Sequence, residues 1–211
     1  RFTEGSFIPT SGRRRASNRG TRMTGIILSG GKNTRMGRNK ALLTLHGERL
    51  IDRTVKLFKD LFAEVFIVTN APREYLDQDV AIVTDVFRGK GALGGIYTGL
   101  FYASCEYVFV AACDMPFLRK DFIRYMMDRA PGHDVVVPVQ PEGYQPLHAV
   151  YNQSCAAPMK RLMDENRLKI AGFYKGMKVL PIPVETTRAF DPDDRMFINV
   201  NSPADLKDMI P

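Results

Sequence analysis

The chain has 211 residues, 45% of them hydrophobic and 25% charged, which is ordinary for one globular α/β domain with a sizeable core. No apolar run approaches the roughly 20 residues needed to span a bilayer, so no membrane role is expected. The net charge of +7 suggests nucleic acid as a partner, but residues 1–22 hold six arginines against Glu4 alone, and only +2 remains for residues 23–211. No nucleic acid is therefore expected as a partner of the folded body. The tail has no amphipathic period and no apolar run of a secretory signal, and it reads as disordered. It is expected to be an upstream extension, or less favourably an arm that helps capture anions, with Met23 a candidate start and residues 23–211 a single domain. Cys105, Cys113 and Cys155 are odd in number and form no C-x-x-C pair, which fits reduced thiols of a cytoplasmic protein.

Along the body, short β-branched runs alternate with helical patterns. "TGIILS" (24–29) suits a central strand buried on both faces. Leu50, Ile51, Val55, Phe58, Leu61 and Phe62 follow helical spacing over about 48–62. Strands are expected at 64–70, 80–85 and 106–114, with a helix opened by small residues at 93–104. A helix at 119–130 and a strand at 133–139 follow. "YQPLHAVYN" (144–152) is strand-like but carries Pro146, so an edge position or an antiparallel insertion is expected. A helix at 154–165 and a Pro-interrupted edge strand at 177–184 come next. "RMFINVN" (195–201) leads to a helix at about 203–210, with Ser202 as N-cap and Pro203 at N1. The alternation predicts an α/β fold: a three-layer, doubly wound, mostly parallel sheet with an antiparallel or edge contribution from the C-terminal half.

In such a sheet ligands bind outside the carboxyl ends of the strands. Ser29-Gly30-Gly31, Thr69-Asn70, Thr84-Asp85, Cys113-Asp114 and Asn199-Val200-Asn201 all fall where expected strands run out. In the opening loop, Gly30 and Gly31 remove side-chain bulk, so backbone N–H groups can approach phosphate oxygens. Arg35 can grip such oxygens as a fork and Lys40 adds a compact charge. The spacing fits neither a Walker A loop nor G-x-G-x-x-G, and a solvated basic loop remains an equal reading of the spacing alone.

"LSGGKNTRMGRNKALLTLHGERLI" (28–51) resembles the signature of nucleotidyltransferases that use nucleoside triphosphates. The close Lys spacing without a preceding Pro is most similar to molybdenum cofactor guanylyltransferases. "GKGALGGIYTGL" (89–100), "CDMPF" (113–117) and "INVNSPADL" (198–206) resemble three further family segments, with Ala92 standing where the family usually has Pro. The resemblance implies a Rossmann-like nucleotidyltransferase fold. It also implies transfer of GMP from GTP to the terminal phosphate of molybdopterin, with Mg²⁺ as cofactor. Leu28, Ser29, Gly30, Gly31, Lys40, Asn70, Asp85, Gly94 and Asp114 are implied to bind GTP, and Arg35, Lys40 and Asp114 to carry catalysis. Asp114 is the implied metal ligand; a helix cap is its structural alternative.

A carboxylate such as Asp85 can accept hydrogen bonds from the N1–H and N2–H₂ edge of guanine, although Thr84-Asp85 suits a turn cap equally. His148, Asn199 and Asn201 are implied to line the molybdopterin side. As residues, His148 suits a core strand position, and the two asparagines alternate around Val200 and suit the turn into the last helix. GTP and molybdopterin are the expected small-molecule partners, with molybdopterin-delivering and molybdoenzyme-maturation proteins as expected protein partners. The rivals are a cytidylyltransferase or sugar-1-phosphate nucleotidyltransferase and a non-catalytic nucleotide-binding protein.

Overall fold

A computed structural model of the protein describes residues 22–30, 40–200 and 205. The basic tail before Arg22, Gly31, Arg35, Asn201 and nearly all of the helix expected at 203–210 lie outside the described residues. Seven strands form a path in which β1, Met23–Ser29, is an interior strand. On one side β1 pairs in parallel with β4 (Glu64–Thr69), which pairs in parallel with β5 (Ala81–Val83). On the other side it pairs in parallel with β6 (Tyr107–Ala112). Next to β6 lies β9 (His148–Asn152), antiparallel both to β6 and to its outer neighbour β7 (Val135–Gln140). β10 (Val179–Ile182) closes this edge, parallel to β7.

The segment around Pro146 thus resolves as an antiparallel insertion. Its strand begins only at His148, two residues past the proline, where every residue again has an N–H to donate. β7 holds β9 through Val135 and Val136 only, and its far end turns instead into a hairpin with β8 (Gly143–Tyr144). The sheet therefore splays between β7 and β9 at its carboxyl rim.

Period-2 alternation divides the strand side chains between two cores. Ile27, Ile67, Phe109, Ala111, Val136 and Val150 face the layer containing α1 (Leu50–Leu61) and α3 (Lys120–Asp128). Ile26, Leu28, Val68, Val108, Val110 and Tyr151 face α2 (Gly91–Tyr102) and α4 (Ala156–Asp164). The helix expected from 48 starts later because Glu48–Arg49 (β3) pairs with Thr44–Leu45 (β2) around a His46-Gly47 turn, both turn residues having positive φ. A fifth helix, α5 (Val184–Phe190), has no counterpart in the sequence reading. Its inward Thr187 is polar and is satisfied by the buried Gln140 amide at 3.0 Å. Residues 195–197 form a 3₁₀ turn rather than a strand.

α2 sits unusually close to β1. A Cβ at Gly99 would stand 2.9 Å from Ile26, and one at Gly95 3.1 Å from Leu28, so the small residues of this helix are required by backbone approach. No helix among the described residues is long and apolar enough to cross a membrane.

Gly99→Val forces a Cβ and two methyl groups against the fully buried Ile26. A loss of about 2–3 kcal/mol is expected, read as a lowered urea midpoint at unchanged m-value.

Candidate active site at the carboxyl rim

The parallel registers bring four strand ends to one level. Leu28 lies opposite Ala112, Ser29 opposite Thr69, and Val68 opposite Val83. Carried a residue or two further, these registers set Asp114, Gly30, Asn70 and Asp85 side by side across β6, β1, β4 and β5. Neighbouring strands are about 4.8 Å apart, so the row spans roughly 14 Å, the scale of an extended nucleotide. The Cys113 N–H donates to the Leu28 carbonyl at 3.0 Å, which holds the Asp114 end against β1.

At the other end, the Asn70 amide donates to Asp85 Oδ2 at 2.6 Å. The next residue, Val86, donates its N–H to Thr98 Oγ1 of α2 at 3.0 Å, and that hydroxyl donates to the Gly94 carbonyl at 2.8 Å. Asp85 is thereby fixed between β4 and α2. Its half-buried carboxyl is pushed up from the ordinary carboxylate value by desolvation, against which the Asn70 amide works in the opposite sense. A desolvated acceptor of this kind gains most from a ligand that donates hydrogen bonds to it.

Asp114 is half-buried in the turn that follows β6. Its carbonyl accepts the Val200 N–H at 2.8 Å, and Arg195 stacks its guanidinium 4.2 Å from the Phe117 ring centroid. These two contacts bring the segment 195–200 to the same rim, with Asn199 exposed beside Val200. Gly30 is exposed, whereas Leu28 and Ser29 are buried, Leu28 with its side chain in the core under α2. Lys40 opens a 3₁₀ turn whose next residue, Ala41, is buried in the main core; its side chain is outside the described residues. Gly94 is buried in the first turn of α2, where a Cβ would meet the Phe87 carbonyl at 3.1 Å. Steric need at this position is therefore already met within the chain.

His148 requires a correction. Its ring is fully buried and lies among Phe109, Phe122 and Phe197 at centroid distances of 5.2, 5.6 and 5.3 Å. Neither ring nitrogen has a hydrogen-bond partner. Strand alternation turns this side chain into the core rather than toward the rim, so it does not line an acceptor site. Burial pushes its pKa down to about 3, which keeps it neutral.

Three site-supporting residues went unseen in the sequence. Thr98 lies inside an apolar helix, Arg195 in an acidic loop, and Tyr75, whose hydroxyl hydrogen-bonds Ser29 Oγ, in the polar stretch "APREYLDQD". Thr98 and Arg195 fall inside the segments "GKGALGGIYTGL" and "RMFINVN" without a role of their own there, and no motif or periodicity marks Tyr75. Of two cavities lined by described residues, one of about 530 Å³ opens at this rim, between the ends of β7 and β10, lined by Val139, Pro141, Pro181 and Val184 among others. The other, about 600 Å³ and lined by Phe101, Glu106 and Gln153 among others, lies at the opposite end of the sheet.

A doubly wound sheet with such a polar row outside its carboxyl ends defines an α/β protein with a candidate ligand site at that rim. Residues 25–178 match the MobA-like NTP transferase domain. A molybdenum cofactor guanylyltransferase of Desulfosudis oleivorans is 39% identical over 187 residues, covering 88% of this chain and 93% of the relative. The crystal structure of molybdopterin-guanine dinucleotide biosynthesis protein A from Archaeoglobus fulgidus is 27% identical. It covers 88% of this chain and 96% of that one, with a TM-score of 0.76. A 4-diphosphocytidyl-2C-methyl-D-erythritol synthase from Anaerococcus prevotii, 12% identical over 89% of this chain and 94% of its own, shares the fold with a TM-score of 0.64. The chain belongs to the MobA-like NTP transferase family and is a nucleotidyltransferase.

The buried neutral His148 makes stability pH-dependent. The unfolded chain takes up a proton below about pH 6.5 and the folded chain only near pH 3, so this contribution is fully present above 6.5 and is lost as pH falls. Each pH unit of that window removes about 1.4 kcal/mol. Urea titrations from about pH 7 to 4.5 are expected to show this slope, and His148→Phe to reduce it.

Proposed function

We propose that this protein transfers GMP from GTP to the terminal phosphate of molybdopterin, giving molybdopterin guanine dinucleotide and pyrophosphate. The observation that carries the proposal is the row of Asp114, Gly30, Asn70 and Asp85 at the ends of four adjacent parallel strands, in a chain 39% identical to a molybdenum cofactor guanylyltransferase. An oxygen of the acceptor phosphate forms the new bond to the α-phosphorus of GTP, while the bond from that phosphorus to the bridging oxygen breaks and pyrophosphate leaves. A phosphate monoester has a second pKa of about 6. The acceptor is thus already a dianionic nucleophile at neutral pH, and no general base is required. The neutral, buried His148 is consistent with a reaction that needs none.

The barrier is the approach of one anion to another, so the work is positioning and charge compensation. Asp85, steadied by Asn70, accepts the N1–H and N2–H₂ edge of guanine, an edge that cytosine lacks. The backbone at Leu28, Ser29, Gly30 and Gly31 holds the phosphates, with Gly94 contributing from the first turn of α2. Arg35 and Lys40 offset the triphosphate charge. Asn199 and Asn201 contact the acceptor or its phosphate, from the segment tied to Asp114 through Val200.

Asp114 fits a divalent cation. It is a hard oxygen donor, partly exposed, at the end of the row next to the phosphate turn, and Mg²⁺ commonly takes one or two carboxylates together with phosphate oxygens and water. Bound there, Mg²⁺ would neutralise charge on the triphosphate. A cytoplasmic site of action, with the carrier proteins that deliver molybdopterin and receive the product as partners, follows from this chemistry. The three thiols, none of them in a disulfide, agree with it.

Pyrophosphate release from GTP, CTP and UTP, with molybdopterin and Mg²⁺ present, tests the assignment. GTP should be strongly preferred, and a preference for CTP or UTP would sink it. Asp114→Ala and Lys40→Ala should each reduce turnover by about a hundredfold or more at unchanged circular dichroism. Because the Asp85 carboxyl is raised in the free protein, protons compete with GTP as pH falls toward that value. The KM for GTP should therefore climb on acidification, by up to about tenfold per unit below the pKa, and Asp85→Asn should flatten this dependence and weaken the preference for guanine.

A further inference from the structure

We infer that Tyr75 is a positioning residue for the nucleotide, acting through Ser29; the inference rests on the nucleotidyl-transfer reading above. Tyr75 closes a 3₁₀ turn, Pro72–Tyr75, and is fully buried although its neighbours Glu74 and Leu76 are exposed. Its hydroxyl shares a buried hydrogen bond with Ser29 Oγ, 46 residues away. Ser29 is the last residue of β1, directly before Gly30. A phenylalanine would fill most of the same space, so the hydroxyl's contribution is to fix the rotamer and backbone of the residue that opens the phosphate turn.

The segment carrying Tyr75 is itself held from the other side of that turn. Arg49, at the end of the β2–β3 hairpin that follows Lys40, donates two hydrogen bonds to Asp52 at 2.8 Å and pairs with Asp77. The Gln78 amide donates to Asp52 Oδ1 at 2.8 Å, and the Gln78 N–H donates to the Tyr75 carbonyl at 2.9 Å. Lys59 of α1 pairs with Asp79 at 2.6 Å. Partly exposed ion pairs contribute little one at a time, but a network that shares partners orders a segment. Residues 75–79 therefore tie together the two chain ends that flank residues 31–39, Ser29 on one side and the hairpin on the other. Their effect is to hold Ser29, and with it the backbone at Gly30, in place relative to the hairpin before nucleotide arrives, which lowers the cost of binding.

Calorimetry of GTP binding with Mg²⁺, on full-length wild type, Tyr75→Phe, Ser29→Ala and the double variant, tests this directly, alongside KM for both substrates and thermal midpoints. Tyr75→Phe is expected to weaken GTP binding about fivefold, as for one lost buried hydrogen bond, with kcat and the KM for molybdopterin within about twofold. Ser29→Ala should likewise weaken GTP binding, and the loss in the double variant should fall short of the sum of the two single losses, because both remove the Ser29–Tyr75 interaction. An unchanged GTP affinity in Tyr75→Phe, additive losses in the double variant, or a parallel rise in both KM values would overturn the assignment. A variant that merely lost stability would show a lower midpoint and a smaller binding-competent fraction at unchanged Kd. If Tyr75→Phe fails to fold, Ser29→Ala alone decides, since an undiminished affinity there removes the proposed route. Wild type that binds GTP yet releases no pyrophosphate refutes the transfer reaction and leaves this test standing, whereas wild type that binds no GTP refutes both.

Discussion

Parallel hydrogen bonding of β1 to β4 on one side and β6 on the other is the constraint from which the site follows. Strands paired in parallel all run out on the same side of a sheet, so the residues just beyond their ends meet at one rim. Ser29 against Thr69 and Leu28 against Ala112 leave Gly30, Asn70 and Asp114 no other place to be. The arrangement depends in turn on α2 lying close over β1. With side chains at Gly95 and Gly99 the helix would be lifted away, and Thr98, which anchors the residue after Asp85, would move with it.

Polar chemistry and packing are separated sharply in this molecule. Below the rim, two apolar layers exclude water from the sheet, and even a histidine is kept there as a neutral, unpartnered ring among phenylalanines. At the rim, Asp85 is half-desolvated and held by a single side-chain amide. A carboxylate in that condition is poised to accept hydrogen bonds from a ligand, because binding restores the solvation it lost on folding. The splayed junction of β7 and β9 leaves the other end of the same rim open.

Much of the frame was legible from residue patterns. Continuous apolar runs marked β1, β4 and β6, and the spacing of Leu50, Ile51, Val55 and Phe58 marked α1, because burial imposes those periods directly. The positions of Asp85 and Asp114 beyond strand ends could be read for the same reason. Pro146 was correctly informative about its strand but left two placements open, and only the pairing with both β6 and β7 chose between them. His148 was assigned to the acceptor side by likeness to a family segment, yet alternation along β9 turns it into the core. α5 escaped notice because it is short, Thr-containing and stabilised by a hydrogen bond from a distant glutamine.

By itself, the order of residues determined the alternation of strand and helix, the excess positive charge concentrated in the first 22 residues, and the glycine-rich and acidic segments that suggest a phosphate chemistry. These are properties of neighbours along the chain, where hydrophobic period, backbone freedom and local charge are set. Tertiary structure alone decided that Asn70 meets Asp85, that Thr98 holds the loop between them and α2, and that Tyr75 reaches Ser29 across 46 residues. Such contacts join residues remote in sequence, and they exist only once packing has fixed strand order and register, because a hydrogen bond requires its two atoms within about 3 Å of each other.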